Sequence, residues 1–185
     1  MQVRDTSGLV HVFRVAGSLL TKGPLKDLLE DPSTVKVVHG CCQMGTVLHS
    51  HGVVLWNVFD TSWAQAVIDY QTTGRKLSKG VGLSSLCKRY GLKANPLQEA
   101  FATGDHLDMD FMDQSEEDIP EDFLHYLAHS VDSLIDLYLV MRDLLAPDFC
   151  HLLEKLCTCD LLKSVDPKSS AVLKAGIFLC IYKTY

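Results

Sequence analysis

The sequence predicts an α/β or α+β layered domain, because strand-like and helix-like segments alternate in its first half and helical patterns fill its second half. The chain has 185 residues, 47% of them hydrophobic, which is enough for one domain with a sizeable core. It has no run of about 18 uninterrupted apolar residues and no signal-peptide pattern at its start, so we expect neither a membrane span nor secretion.

Strand-like segments are concentrated in the first third of the chain. Residues 8–15 are rich in β-branched and aromatic side chains and begin at a glycine. Residues 33–40 are short and apolar, as expected for a buried parallel strand. Residues 54–61 are a further strand candidate. These segments predict a sheet whose strands are separated by helices.

The predicted helices span residues 24–31, 43–52, 61–70, 82–92 and 120–145. The last has the clearest signal, with apolar residues at steps of three and four and Pro147 after its end. Thr61 or Ser62 is the expected N-cap of the helix over 61–70. The acidic run 103–122 is expected to be a solvated loop.

The charge distribution is uneven. The formal net charge is −6 and the isoelectric point is about 5.7, which argues against a dedicated nucleic-acid coat protein. Residues 71–98 nevertheless contain six basic residues and no acid. The six are Arg75, Lys76, Lys79, Lys88, Arg89 and Lys93. This stretch could follow an RNA backbone or be an ordinary solvated surface, and the sequence leaves both readings open.

The seven cysteines indicate reduced thiols, because their number is odd and no secretory signal accompanies them. Cys150, His151, Cys157 and Cys159 could suggest zinc. Their spacing lacks a paired C-x-x-C knuckle, so we expect buried thiols on a helix instead.

Three segments in order resemble the RNase D-type 3′–5′ exonuclease domain of the DEDD superfamily. They are "LLEDPSTVKVVHGCCQMGTVLHSHGVVLWNVFDTSWAQAVI" (28–68), "LSSLCKRYGL" (83–92) and "DIPEDFLHYLAHSVDSLIDLY" (118–138). The resemblance covers roughly residues 2–145. The phrases "GLVHVF" and "VKVVHGCC" are most similar to the exonuclease 3′–5′ domain-containing branch associated with piRNA biogenesis in animals.

The resemblance implies a ribonuclease H-like mixed sheet flanked by helices, with an exonuclease-like domain over 1–146 and a helical extension over 147–185. In this family the first strand lies centrally in the sheet and carries two metal-binding acids. No Asp-x-Glu precedes residue 30, so we expect that strand to lie before Met1 and the chain to be a fragment or alternative product.

The remaining two acidic positions of the family are also replaced. Met44 stands at the second-motif acid and Ser130 at the last-motif acid, while Tyr126 is retained from the water-orienting position. A thioether and a neutral hydroxyl are poor ligands for Mg²⁺ or Mn²⁺, so we expect no catalytic residue, no metal site and no cofactor. The alternative is an active exonuclease that uses two such ions.

The resemblance therefore implies an RNA-binding or assembly module in the cytoplasm, including germ granules, with the nucleus as an alternative. RNA is the expected partner, and a protein partner or a homodimer stays open. The expected RNA contacts are His39, Arg75, Lys76, Lys79, Lys88 and Arg89. A third alternative is a truncated product that does not fold stably.

Five residues have two interpretations each. Asp60 is expected to be a helix cap rather than catalytic, and Tyr126 to pack rather than orient water. Trp56 and Trp63 could stack a base, but we expect both in the core. For His39, a hydrogen-bonded strand end and a nucleotide contact are equally plausible.

Overall fold

The computed structural model describes residues 1–13, 20–97, 120–164 and 178–182. Its strands are β1 (Gln2–Arg4), β2 (Val10–Val12), β3 (Val35–Val38), β4 (Val58–Asp60) and β5 (Phe178–Tyr182). Its helices are α1 (Pro24–Glu30), α2 (Cys41–Ser50), α3 (Thr61–Thr73), α4 (Leu83–Arg89), α5 (Glu121–His129), α6 (Leu134–Leu144) and α7 (Pro147–Ser164). Within these ranges no helix combines the length and the apolarity that a membrane crossing needs.

The strands form one mixed sheet in the order β2-β1-β5-β3-β4. β1 and β2 pair antiparallel, whereas β3 and β4 pair parallel through a crossover that contains α2. β5 lies between the two pairs, parallel to β1 and antiparallel to β3. Val3 is opposite Leu179 on one side, and Val37 is opposite Cys180 on the other. The last of the described strands thus occupies the centre of the sheet.

The predicted mixture of strands and helices is confirmed, but the prediction of a helical extension is only partly right. Residues 147–164 are helical, whereas 178–182 form β5. The sequence of β5, FLCIY, is wholly apolar, which suits a strand with neighbours on both sides. β5 occupies the central position of the sheet, where the resemblance places the family's first strand. Residues 103–119 of the predicted acidic loop lie outside the part of the chain that the structure describes.

The helix predicted over 120–145 is divided into α5 and α6. Ser130 Oγ donates to the carbonyl of Tyr126, a local bond that competes with helix continuation. The carbonyl of Asp132 accepts from Arg4 Nη1 at 2.6 Å instead of serving a regular helix. A contact with β1 therefore accompanies the break, which the periodic apolar pattern does not reveal.

Two apolar clusters cover the two faces of the sheet. Val37 and Phe59 belong to the cluster beneath α3 and α6, where the Phe59 ring meets Tyr138 edge to face with centroids 4.9 Å apart. Val3 and Val38 belong to the cluster beneath α1 and α2. Neighbouring residues on a strand point to opposite faces, so β3 contributes to both clusters.

Candidate nucleic-acid interface

Asp60, at the carboxyl end of β4, joins the starts of two helices. Its side chain is fully buried. Its carboxylate accepts hydrogen bonds from the backbone N–H groups of Gly40 (3.1 Å), Cys41 (2.8 Å) and Ser62 (2.8 Å). Cys41 begins α2, and the bond from Ser62 makes Asp60 the N-cap of α3. The expected capping role is confirmed, although Thr61 and Ser62 are wrong as caps.

Lys79 is held by carboxylates. Its Nζ lies 2.5 Å from Asp160 Oδ2 and 3.5 Å from Asp60 Oδ2, and it sits 4.5 Å from the centroid of the Trp63 ring. Trp63 Nε1 also donates to Asp160, at 2.8 Å. Burial by itself would lower the pKa of Lys79, but the two carboxylates outweigh it and the pKa lies above its ordinary value. These contacts fasten the segment after α3 to α7.

The pKa of Asp160 is shifted in the direction that favours its charged form. Burial would raise the pKa of Asp160, but hydrogen bonds from Lys79 and Trp63 outweigh that effect and hold the pKa below its usual value. Both partners are therefore charged near neutral pH. Because the Lys79 ammonium is compensated in this way, the structure argues against the predicted RNA contact at Lys79.

Three other predicted RNA contacts come together in one surface groove between the end of α3 and α4. Arg75, Lys76 and Arg89 line it, with the hydroxyl-bearing Thr73 and Ser78. Asp69 also lines the groove and pairs with Arg89 at 3.2 Å. Arg75 and Lys76 are both exposed. The groove thus has the charge and hydroxyl donors that bind a phosphate chain.

Lys88 and His39 lie outside this groove. Lys88 is exposed on α4 but does not line it. His39 is half-buried at the end of β3, with Nδ1 2.9 Å from Thr61 Oγ1. Burial lowers the pKa of His39, although the Asp60 carboxylate opposes the shift. A neutral ring at neutral pH favours the strand-end interpretation of His39 over a phosphate contact.

Met44 occupies an apolar environment. It lies on α2 with 6% of its surface exposed, in the cluster that contains Leu29, Val38 and Leu48. Its thioether is a soft ligand that Mg²⁺ and Mn²⁺ do not favour. Met44 therefore serves as core packing at the position where the resemblance places an acid.

Ser130 is engaged in hydrogen bonds at the junction of α5 and α6. It is 8% exposed, and its Oγ donates to Tyr126 O at 2.7 Å and accepts from Asn95 Nδ2 at 3.1 Å. The half-buried Tyr126 ring stacks near Phe123 with centroids 6.2 Å apart. These contacts agree with the expectation that Tyr126 packs.

The donor set does not fit a pair of hard divalent cations. Among the residues that the structure describes, no three His, Cys, Asp or Glu side chains converge. The sulfur of Met44 and the neutral, hydrogen-bonded hydroxyl of Ser130 cannot replace carboxylates in a two-metal site. On α7 Cys157 is buried as expected, but Cys150 and Cys159 are exposed, so the prediction of buried thiols is wrong for those two.

One of the two tryptophans departs from its predicted core position, whereas Trp63 packs against both apolar clusters. Trp56 is 56% exposed just before β4, so its core assignment is wrong. Trp63 is half-buried, with its indole N–H on Asp160 and its ring beneath Lys79. A buried tryptophan N–H needs an acceptor, and Asp160 provides it here.

Asp160 and Asn95 are site residues that the sequence analysis missed. Asp160 follows the buried Leu153 and Cys157 of α7 by seven and three positions, which places it on the buried stripe of the helix. An acidic residue on the buried stripe of a helix indicates that its carboxylate has a partner inside the fold. Asn95, which donates to Ser130, lies in an irregular segment and gives no comparable signal.

Removal of the Asp60 carboxylate tests its linking role. We expect Asp60→Ala to lower the free energy of unfolding by about 2–4 kcal/mol, because three backbone N–H groups lose their acceptor and Lys79 loses one of its two carboxylate partners. Urea unfolding measures the change. Asp136→Ala, at an exposed site on α6, is the control and should change it by less than about 0.5 kcal/mol. Equal effects of the two variants would contradict the role of Asp60.

The burial of His39 predicts a pH dependence of stability. Its pKa is lower in the folded state than in the unfolded state, so the unfolded state binds more protons as the pH falls through the unfolded pKa. The wild-type protein should therefore lose stability from about pH 7 to about pH 5. His39→Gln should lose less over the same interval in urea unfolding, whereas His51→Gln, at an exposed site, should match the wild type. A wild-type slope in His39→Gln would refute this origin.

Comparisons with known proteins agree with the resemblance. A family model described as 3′–5′ exonuclease matches residues 1–146. The piRNA biogenesis protein EXD1 of Xenopus laevis is 30% identical over 176 residues, which cover 86% of this chain and 38% of that protein. The chain thus spans less than half the length of this relative, and no solved structure matches. The chain belongs to the 3′–5′ exonuclease domain family, in the branch that includes EXD1.

Proposed function

We propose that this chain is a ribonuclease H-like, RNA-binding 3′–5′ exonuclease-like domain that does not hydrolyse its ligand. The observation that carries the proposal is the environment of the replaced positions. Met44 is packed among apolar side chains, and the Ser130 hydroxyl is satisfied by Tyr126 and Asn95. A two-metal exonuclease needs carboxylates at these points, so the proposal includes no metal cofactor.

The central strand supports the same conclusion. The resemblance assigns two further metal-binding acids to a strand in the middle of the sheet. In this chain the middle position belongs to β5, whose sequence FLCIY contains no carboxylate. Among the described strands, the central one therefore offers no carboxylate to a metal site.

The groove between α3 and α4 supports RNA binding. Arg75 and Lys76 are exposed, and they are separated from the acidic partners that neutralise Lys79. Contacts between such cations and phosphates release counterions and provide affinity without base specificity. The name of the Xenopus laevis relative refers to piRNA biogenesis, which favours RNA over DNA. The proposal also includes cytoplasmic germ granules as the site of action and a protein partner in addition to RNA, both of which come from the family resemblance alone.

Substitution of the groove residues tests the binding proposal. We expect Arg75→Ala/Lys76→Ala to weaken binding of a labelled single-stranded RNA roughly tenfold at low salt. The salt dependence should also become shallower, by about 0.7 in slope for each lost phosphate contact. Fluorescence anisotropy in the presence of EDTA gives both quantities.

A matched control removes the same charge elsewhere. Lys22→Ala/Lys155→Ala replaces two exposed lysines outside the groove and should leave the affinity close to that of the wild type. Equal loss in the two double variants would mean that only the overall charge matters. No binding by the wild type would refute the proposed function itself.

A further inference from the structure

Ser78 is an exposed serine in the irregular segment that joins α3 to α4. Residues 74–82 of this segment belong to no helix or strand. Arg75 and Lys76 precede Ser78 by three and two positions, in the sequence RKLS, and both are exposed. Protein kinases choose their substrates partly by charge patterns, and an acidic kinase cleft would receive both side chains. The segment therefore presents a serine together with the cations that such a kinase recognises.

The hydroxyl of Ser78 is weakly held by the fold. Its Oγ lies 3.3 Å from the carbonyl oxygen of Lys79, which is long for a hydroxyl hydrogen bond. Thr73 also lines the groove, but its hydroxyl donates to the carbonyl of Asp69 at 2.6 Å. Of these two hydroxyl groups, that of Ser78 can leave its present contact at the lower cost.

Ser7 has an arginine at the same spacing but lies in a different environment. Arg4 precedes it by three positions. Arg4 Nη1 donates to the carbonyl of Asp132 at 2.6 Å, so this guanidinium is engaged within the fold. Ser7 Oγ donates to Asp5 Oδ1 at 2.6 Å, and the Asp5 carboxylate would repel an acidic kinase cleft. The sequence spacing is equal at the two serines, whereas the structure favours Ser78.

A phosphate on Ser78 would enter the groove that the proposed function assigns to RNA. Ser78 lines this groove together with Arg75, Lys76, Arg89 and Asp69. Three cations and one carboxylate give these side chains a net charge of +2. A phosphoserine carries about −1.5 to −2 at pH 7, so it would cancel nearly all of that charge. It would also occupy the donors that RNA phosphates need.

We propose that Ser78 is phosphorylated by an ATP-dependent serine kinase that selects basic residues before its target, and that the phosphate displaces RNA from the groove. This inference rests on the proposed function, because it concerns regulation of the same groove. The bond from Ser78 Oγ to the γ-phosphorus of ATP forms as the bond from that phosphorus to the β-phosphate oxygen breaks. ADP leaves, and the serine proton passes to the catalytic aspartate of the kinase.

The test treats the full folded chain with the catalytic subunit of cAMP-dependent protein kinase and MgATP, and peptide mass spectrometry maps the product. We expect phosphate on Ser78 and far lower occupancy on Ser7. Ser7→Ala should be phosphorylated as fast as the wild type, whereas Ser78→Ala should lose the modification. Equal phosphorylation of Ser7 and Ser78, or no phosphate on Ser78, would overturn the inference.

Fluorescence anisotropy with a labelled single-stranded RNA in EDTA measures the consequence. Phosphorylation of the wild type should weaken binding roughly tenfold at low salt, and a phosphatase should restore it. Kinase-treated and untreated Ser78→Ala should bind alike. Unchanged affinity after complete phosphorylation of Ser78 would overturn the displacement. No binding by the unmodified chain would refute the proposed function and with it the displacement, whereas the mapping decides separately whether Ser78 is a kinase site.

Discussion

The buried carboxylate of Asp60 is the constraint on which the arrangement around the candidate site depends. A buried charge is tolerated only when hydrogen bonds and an opposite charge surround it. The first N–H groups of α2, the start of α3 and the ammonium of Lys79 meet this requirement. Lys79 in turn pairs with Asp160 on α7. The Asp60 carboxylate therefore determines how α2, α3, the segment that carries Lys79 and α7 meet at the end of β4.

The need to compensate Asp60 also divides the polar groups of this region into two sets: those that stabilise the fold and those that are available to bind a ligand. Polar groups near the ends of β3 and β4 are used within the fold, and Met44 has become part of the apolar packing. The exposed cations instead lie beside the end of α3, where Arg75 and Lys76 face a groove. The proposed function combines this surface for a polyanion with neutral side chains at Met44 and Ser130, where the resemblance places metal-binding acids.

Local signals in the sequence were sufficient for most helices, for β3, for the capping role of Asp60 and for the family. They were insufficient where distant segments meet. β1 is three residues long and β5 gains its neighbours only through non-local pairing. The break between α5 and α6 coincides with the bond from Arg4 to Asp132, 128 positions apart, and Lys79 is compensated by Asp160, 81 positions away. The exposure of Trp56 likewise depends on packing that periodicity does not encode.

The most direct measurement follows one sample of 5′-labelled single-stranded RNA with Mg²⁺, with Mn²⁺ and with EDTA. A denaturing gel detects shortening, and a native gel of the same sample detects binding. We predict retarded RNA of full length in all three conditions, because in the proposed function the basic groove binds the RNA and neutral side chains stand where the resemblance places metal-binding acids. A ladder that shortens from the 3′ end with Mg²⁺ or Mn²⁺ and disappears with EDTA would contradict the loss of hydrolysis.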